Sequence, residues 1–314
     1  MPLPTIDDIH QAAARIKPYV HHTPVLTCAS LNHMANAQLF FKCENFQKAG
    51  AFKFRGACNT VFSLSDTEAK RGVATHSSGN HGAALALAAR LRNIPAHIVM
   101  PHNAPQVKRD AIAGYGAHVT WCEPSQADRE ATVKRVVDET GAVFAHPSND
   151  ALVIAGQGTA ALELLDDVPE LDMVLTPIGG GGLTSGIALA VATCSPRTRM
   201  VAVEPAGADD AYRSLQSGTL QPSINPRTIA DGLRTSLGDL TFPMIQQYAE
   251  QIVTVSEAAI IHAMRHVWER MKIVIEPSSA VPVAAVLDKR IEVSGLRVGI
   301  VLSGGNVDLA SLPF

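Results

Sequence analysis

Short runs of apolar and β-branched residues alternate along this chain with stretches of helical spacing. The strand candidates are 39–44, 72–78, 96–101, 118–123, 142–147, 173–179, 199–205, 251–256 and 297–305. The helical stretches are 82–93, 130–141, 158–167, 186–194 and 257–271. Strands that alternate with helices build parallel sheets covered by helices. The predicted fold class is therefore α/β.

Composition and charge exclude several classes of protein. The chain has 314 residues, of which 46% are hydrophobic, and this length favours two domains with a sizeable core. Its net charge is −3 and its Lys and Arg residues are scattered, so no nucleic-acid partner is predicted. No signal peptide is readable and no apolar run is long enough to cross a bilayer. The five cysteines lie far apart without a CxxC pair, which favours a reduced, cytoplasmic protein with no membrane partner.

Three loops rich in Gly, Ser and Asn follow strand candidates. The four glycines 179–182 join a strand to an apolar helix, and their N–H groups with the helix start would suit a phosphate. Neither the dinucleotide fingerprint nor the P-loop matches there. The loop 77–81 offers donors to a carboxylate, although simple helix capping is an alternative. Ser303 ends the last strand candidate. Because ligands of open α/β sheets bind at the carboxyl edge of the sheet, we expect the three loops to form one shared site.

The segment FKCENFQKAGAFKFRGACN, residues 41–59, has no clear helical stripe and contains a lysine between glycines. Lysines are usually solvated surface residues. The neighbours of Lys53, which include Phe52, Gly50 and Gly56, favour a buried or half-buried amine instead. Such an amine can act as a nucleophile.

Two further groups of residues carry weaker signals. His262 and His266 have helical spacing but lack the Glu of HExxH, so we expect a solvated or packed helix face. Glu204 and Asp210, in EPAGADD, could bind Mg²⁺ or Ca²⁺ through oxygen atoms. A solvated acidic loop is the alternative interpretation of that segment.

The segments KCENFQKAGAFKFRGA, HSSGNHG, GGGGL, EPAGADD, IADG and LSGGNVD occur in this order. Together they resemble the fold-type II family of pyridoxal-phosphate enzymes, in particular serine racemases, serine/threonine dehydratases and 3-hydroxyaspartate ammonia-lyases. The resemblance implies a tryptophan synthase β-like fold, in which the cofactor lies between two open, twisted parallel-sheet domains. It predicts a large cofactor-binding domain of residues 1–64 and 150–314, and a small mobile domain of residues 65–149.

The resemblance also implies roles for individual residues. Lys53 would form the Schiff base with pyridoxal 5'-phosphate, and Phe52 would lie against its ring. The other implied cofactor contacts are Asn80, Gly179, Gly180, Gly181, Gly182, Leu183 and Ser303. The implied substrate-binding residues are Ser77, Ser78, Asn80, His81 and Arg129, with Ser78 catalytic on the face opposite Lys53. The implied ligands of Mg²⁺, or of Ca²⁺ or Mn²⁺, are Glu204, the carbonyl of Ala208 and Asp210.

The activity implied is an ammonia-lyase that removes water from L-serine, L-threonine or L-threo-3-hydroxyaspartate and yields a keto acid and ammonia, with racemisation possible at the same site. A dedicated serine racemase and a non-catalytic metabolite-binding protein are the alternatives. Arg129 either takes a second substrate carboxylate or pairs with Glu123 or Asp128. The family implies a homodimer. Nucleotide activation stays open, because SND after HP at 146–147 departs from the vertebrate racemase pattern.

Overall fold

The computed structural model describes residues 2–314, which form two sheets flanked by helices. The strands are β1 (Val25–Leu26), β2 (Gln38–Cys43), β3 (Val73–Thr75), β4 (Ala96–Pro101), β5 (His118–Cys122), β6 (Val143–Phe144), β7 (Met173–Pro177), β8 (Arg199–Pro205), β9 (Gln251–Val255) and β10 (Arg297–Leu302). The α-helices are α1 (Ile6–Ile16), α2 (Ala29–Ala35), α3 (Lys53–Ser63), α4 (Asp66–Arg71), α5 (Asn80–Arg92), α6 (Gln106–Gly114), α7 (Gln126–Thr140), α8 (Ala151–Asp167), α9 (Gly182–Cys194), α10 (Asp210–Ser217), α11 (Thr241–Tyr248), α12 (Glu257–His266) and α13 (Pro277–Leu287).

The two sheets are built almost entirely from parallel strands. The larger has the order β1-β2-β10-β7-β8-β9, and only its edge strand β1 runs antiparallel to its neighbour. The smaller has the order β5-β4-β3-β6 and is parallel throughout. The predicted α/β class is confirmed. The domain boundaries remain a prediction, with the strands of the smaller sheet lying between residues 73 and 144.

Each predicted strand segment contains a strand, but several strands end earlier than expected. β3 ends at Thr75, β7 at Pro177 and β10 at Leu302. The polar and glycine residues that follow therefore belong to loops at the carboxyl ends of the strands. Parallel strands bring these loops to one edge of each sheet, where ligands of such folds bind.

The segment around Lys53 differs from the sequence-based expectation, because Lys53 begins the helix α3. Residues 54–61 are all buried, so the helix has no polar face and shows no amphipathic stripe. Gly56 permits its close packing on α8. A Cβ atom at Gly156 of α8 would lie 2.6 Å from Cα of Gly56, so the two helix backbones are in direct contact.

A buried ionic network fixes the start of α3. Nε and Nη2 of Arg55 donate to the two carboxylate oxygens of Glu44, each at 2.8 Å. Nη1 and Nη2 donate to the two oxygens of Glu163, each at 2.7 Å. Lys42 Nζ lies 2.8 Å from Glu163 and donates to the carbonyl of Thr23. Burial alone would lower the pKa of Arg55, but Glu44 and Glu163 hold it above its ordinary value.

Other expectations concern side chains away from the loops. All five cysteines are free thiols. His262 is exposed and His266 is partly buried on α12, with ring centroids 4.2 Å apart, as expected for a helix face. Within residues 2–314, every helix is too short or too polar to cross a membrane.

The contact between α3 and α8 predicts the effect of Gly156→Ala. The added methyl group would push against the backbone of α3, and such overpacking costs about 1–3 kcal/mol in the free energy of unfolding. Urea denaturation measures this quantity. The control is Gly114→Ala in α6, where a Cβ atom meets no other atom within 4 Å. Equal stability of the two variants would contradict the backbone contact.

Candidate active site

Hydrogen bonds join the loops at the carboxyl end of the larger sheet. The backbone N–H of Phe52 donates to the carbonyl of Ser303 at 3.0 Å. Ala51 and Gly304 form an isolated antiparallel bridge beside it. The first turn of α3 is therefore attached to the end of β10, next to Ser303.

Lys53 points at the connection between the sheets. Its Nζ donates to the carbonyl of Pro147 at 2.6 Å and lies 5.0 Å from the ring centroid of Phe52. The residue as a whole is half-buried, yet burial of its amine lowers the pKa of Lys53 to about 8, with Glu276 opposing the effect. A lysine with this pKa has a substantial neutral fraction near pH 8, as a nucleophile or general base requires.

The glycine loop after β7 has no room for side chains. A Cβ atom at Gly180 would lie 2.3 Å from Ser148 Oγ, and one at Gly182 would lie 2.8 Å from the carbonyl oxygen of Ser148. Gly181 has φ +83°, which favours glycine. α9 begins at Gly182, followed by the buried Leu183. The chain thus brings a glycine turn and a helix N-terminus together, and this arrangement suits a phosphate.

The loop after β3 leads into α5, which begins at Asn80. The N-cap residue is Gly79, which has no side-chain capping bond, so the capping interpretation of this loop is wrong. Ser77, Ser78 and Asn80 remain partly exposed and available to a ligand. His81 is buried, and its Nε2 donates to the carbonyl of Ala145 at 3.2 Å. Burial lowers the pKa of His81 well below its ordinary value, so the ring is neutral.

Ser303 has a hydroxyl neighbour. Its Oγ lies 3.2 Å from Oγ of Ser279, and both residues are buried. Ser279 Oγ donates to the carbonyl of Gly304 at 2.6 Å and accepts from its N–H at 2.7 Å. Because that proton of Ser279 is already committed, Ser303 donates in the bond between the two hydroxyls, and its proton would have to turn away from Ser279 to reach another acceptor.

The sequence-based prediction missed several residues of this region. Glu276 is 4% exposed, and its two oxygens each accept from Nδ2 of Asn80 at 3.0 Å. Burial raises the pKa of Glu276 to about 7. Glu276 precedes Pro277 and the apolar run of α13, and an acidic residue at such a helix start was the available signal. Pro147 gave no comparable signal, because it contributes a backbone carbonyl that any residue could supply. Ser148 gave none either, because its packing against the glycine loop is visible only in the fold.

Arg129 lies in the first turns of α7, after β5. Its Nε is buried and has no hydrogen-bond partner within residues 2–314. Asp128, a partner that the sequence allowed, instead accepts from the N–H of Glu123 at 2.6 Å. Burial lowers the pKa of His76, and the positive charge of the nearby Arg129 lowers it further. The ring of His76 lies 5.8 Å from that of His146, just before Pro147.

Glu204 and Asp210 lie at the end of β8, two strands away from β10. Glu204 accepts from the N–H groups of Ala211 at 3.0 Å and Tyr212 at 2.9 Å. Both carboxylate oxygens of Asp210 are buried without a partner in the described chain. Burial raises the pKa of Glu204 to about 9 and that of Asp210 to about 6. Two buried carboxyls that form no ion pair within the described residues fit a cation, and the carbonyl of the buried Ala208 would have to supply a third ligand.

Comparison with known proteins places these features in a family. The family model described as pyridoxal-phosphate dependent enzyme matches residues 16–304. A beta-hydroxyaspartate dehydratase of Paracoccus denitrificans (strain Pd 1222) is 51% identical over 314 residues, which cover all of both chains. A serine racemase of Oryza sativa subsp. indica is 51% identical over 98% of this chain and 92% of its own. The solved structure of maize serine racemase has a TM-score of 0.96 and 49% identity, with coverage of 98% of this chain and 95% of the other.

Proposed function

Because the chain belongs to the family of pyridoxal-phosphate-dependent enzymes, we propose that it removes water from β-hydroxy amino acids and releases a keto acid and ammonia. The observation that carries this proposal is that Lys53, a lysine with a lowered pKa, donates to the carbonyl of Pro147, whose neighbour Ser148 packs against the glycine loop. Its relatives are a dehydratase and racemases, so the protein acts as a lyase, a racemase or both. The substrate is a small amino acid.

The residues of the site fit the cofactor. Pyridoxal phosphate supplies an electron sink for the electron pair left at the substrate's α-carbon. Lys53 would bind it covalently, Phe52 would lie against its ring, and Asn80 would donate to its ring oxygen. The glycines 179–182 with Leu183 would hold the phosphate. Ser303 would donate its proton to an uncharged ring nitrogen, which limits delocalisation and favours loss of the β-hydroxyl over transamination.

The remaining steps belong to side chains of this chain. Ser77, Ser78, Asn80 and His81 would bind the α-carboxylate through the loop after β3. Lys53, freed as an amine, would remove the α-proton from one face, and the carbonyl of Pro147 would hold its Nζ while it is a free amine. Ser78 would face the opposite side of the α-carbon, where its hydroxyl could return a proton and produce the other enantiomer.

Arg129 supports a dicarboxylic substrate. Its buried, unpartnered Nε and its proximity to His76 make it suited to a second carboxylate. The dehydratase of Paracoccus denitrificans is named for beta-hydroxyaspartate, which has two carboxylates. We therefore favour L-threo-3-hydroxyaspartate over L-serine and L-threonine. A dedicated serine racemase is the second candidate, supported by the racemase relatives.

A divalent cation and a dimer complete the proposal. Glu204, the carbonyl of Ala208 and Asp210 would hold Mg²⁺, Ca²⁺ or Mn²⁺ in a structural or activating role. Family resemblance supports a homodimer, and the five free, widely spaced cysteines support a cytoplasmic protein. Nucleotide activation is a separate question for assay.

Substrate preference can be measured as keto-acid release with L-serine, D-serine, L-threonine and L-threo-3-hydroxyaspartate. We expect hydroxyaspartate to have the highest kcat/KM. In Arg129→Ala that value should fall about 10–100-fold, since a hydrogen bond to a charged group is lost, while L-serine turnover changes little. Slow turnover of all four with D-serine formed from L-serine would favour the racemase instead.

Ser78→Ala separates the two faces of the site. Loss of a general acid–base group typically lowers a rate about 10²–10⁴-fold, so racemisation should fall by that factor. Elimination from L-substrates should be largely retained because Lys53 is unchanged. Chiral analysis of the product and keto-acid assay measure the two reactions. An equal loss of both would contradict the two-face scheme.

The cation can be tested by thermal unfolding after chelation. Mg²⁺ should restabilise the chelated protein, by about 2.7 kcal/mol at a hundredfold excess over Kd, because it neutralises the carboxyls of Glu204 and Asp210. Asp210→Asn should lose this response. Its matched control is Asp209→Asn, a change at the neighbouring exposed carboxylate that pairs with Arg213. Melting temperatures that do not respond to Mg²⁺ would remove the cation from the proposal.

A further inference from the structure

Glu276 is a buried carboxylate that the proposed reaction does not use. It stands at the N-cap position of α13 but makes no capping bond with its side chain. Its backbone N–H donates to the carbonyl of Gly304 at 3.0 Å, which attaches it to the end of β10. A Cβ atom at Gly304 would lie 2.8 Å from Glu276 Oε1, so the glycine leaves room for the carboxylate. Burying a carboxylate is costly unless it is hydrogen-bonded.

The partner of Glu276 is Asn80, and the surrounding bonds allow the Asn80 amide one orientation. Its Nδ2 lies 3.0 Å from both oxygens of Glu276. Its Oδ1 accepts at 2.9 Å from Nδ2 of Asn306, which also donates to the carbonyl of Ala49 at 2.8 Å. The Ala49 carbonyl can only accept, so it fixes the nitrogen of the Asn306 amide, and only an oxygen of Asn80 can accept from that nitrogen. The nitrogen of Asn80 must therefore face Glu276, and its oxygen must face Asn306.

Charged groups from three other elements surround Glu276. Asp231, in the turn Asp231–Leu233, disfavours the ionised carboxylate, whereas Lys108 of α6 favours it. Lys108 and Asp231 also pair with each other. Glu276 in turn favours the protonated form of Lys53. It thus acts on two residues of the proposed cofactor site, on Asn80 by hydrogen bonds and on Lys53 by charge.

We propose that Glu276 is a positioning residue, which holds Asn80 so that this side chain presents its N–H group, and never its carbonyl, to the ring oxygen of the cofactor. The inference rests on the proposed function, because only that function gives Asn80 a cofactor contact. Without the carboxylate, the Asn80 amide keeps only its bond from Asn306, so its N–H group is no longer held in one position toward the ring oxygen. The electronic state of the bound cofactor then changes, and its absorbance reports this directly.

The test compares Glu276→Gln, which keeps the shape but removes the charge, with Glu276→Asp, which keeps the charge. Absorbance of each holoenzyme is recorded as a function of pH, together with kcat and KM. In Glu276→Gln we expect an altered balance of the cofactor's absorbance bands, a shifted pH profile and a kcat about tenfold lower, with little change in KM. Glu276→Asp should recover part of each property.

Two further variants complete the design. Glu257→Gln is the matched control, since Glu257 is partly buried and accepts from the N–H of Ile229 rather than from Asn80. It should behave as the unmodified enzyme. Asn306→Ala releases the other end of the Asn80 amide and leaves the carboxylate intact. It should change the absorbance bands in the direction expected for Glu276→Gln. Asn306→Ala therefore tests the hold on Asn80 even when Glu276→Gln folds poorly.

Two results would overturn the inference. The first is a Glu276→Gln enzyme with the spectrum, pH profile and kcat of the unmodified protein. The second is a variant with lower stability and cofactor content but an unchanged spectrum per bound cofactor, because Glu276 would then be only structural. A different failure, an unmodified protein that binds no cofactor, would remove the proposed function and with it this inference.

Discussion

The bonds of Arg55 with Glu44 and Glu163 are the interaction on which the site depends. A guanidinium buried with two bidentate carboxylate partners has one geometry, and removing either partner would leave an uncompensated buried charge. Arg55 lies two residues after Lys53 in the same helix turn, so these bonds also fix the backbone that carries Lys53. The direct backbone contact of α3 with α8, the helix that carries Glu163, fixes the same turn of α3. Lys53 therefore lies on a firmly held helix turn, as its proposed catalytic role requires.

Around this fixed lysine, the site is assembled from loops of both sheets. Ser303 and Glu276 come from the larger sheet and its helix α13, whereas Asn80 comes from the helix that follows β3. The connection after β6 contributes the carbonyl of Pro147 and packs Ser148 against the glycine loop. A movement of one sheet relative to the other would therefore change the surroundings of Lys53.

Much of this architecture could be predicted from the sequence. The alternation of β-branched runs with helices indicated every strand of the described residues except the short β1. The glycine loop was visible because glycines at a strand–helix junction are rarely incidental. Helix α3 could not be predicted from periodicity, because burial on every side removes the polar face that a helical pattern needs. Glu276 escaped notice for a different reason. Its importance comes from Asn80, 196 positions away along the chain, and only the folded structure brings the two together.

The central claim is that Lys53 binds the cofactor covalently, and one measurement tests it most directly. The purified holoenzyme would be treated with borohydride, which reduces an imine to a stable amine, and then digested and analysed by mass spectrometry. The account predicts a cofactor adduct on the peptide that contains Lys53 and its absence from the Lys53→Ala protein. An adduct on another lysine, or a cofactor that is never covalently attached, would contradict the account.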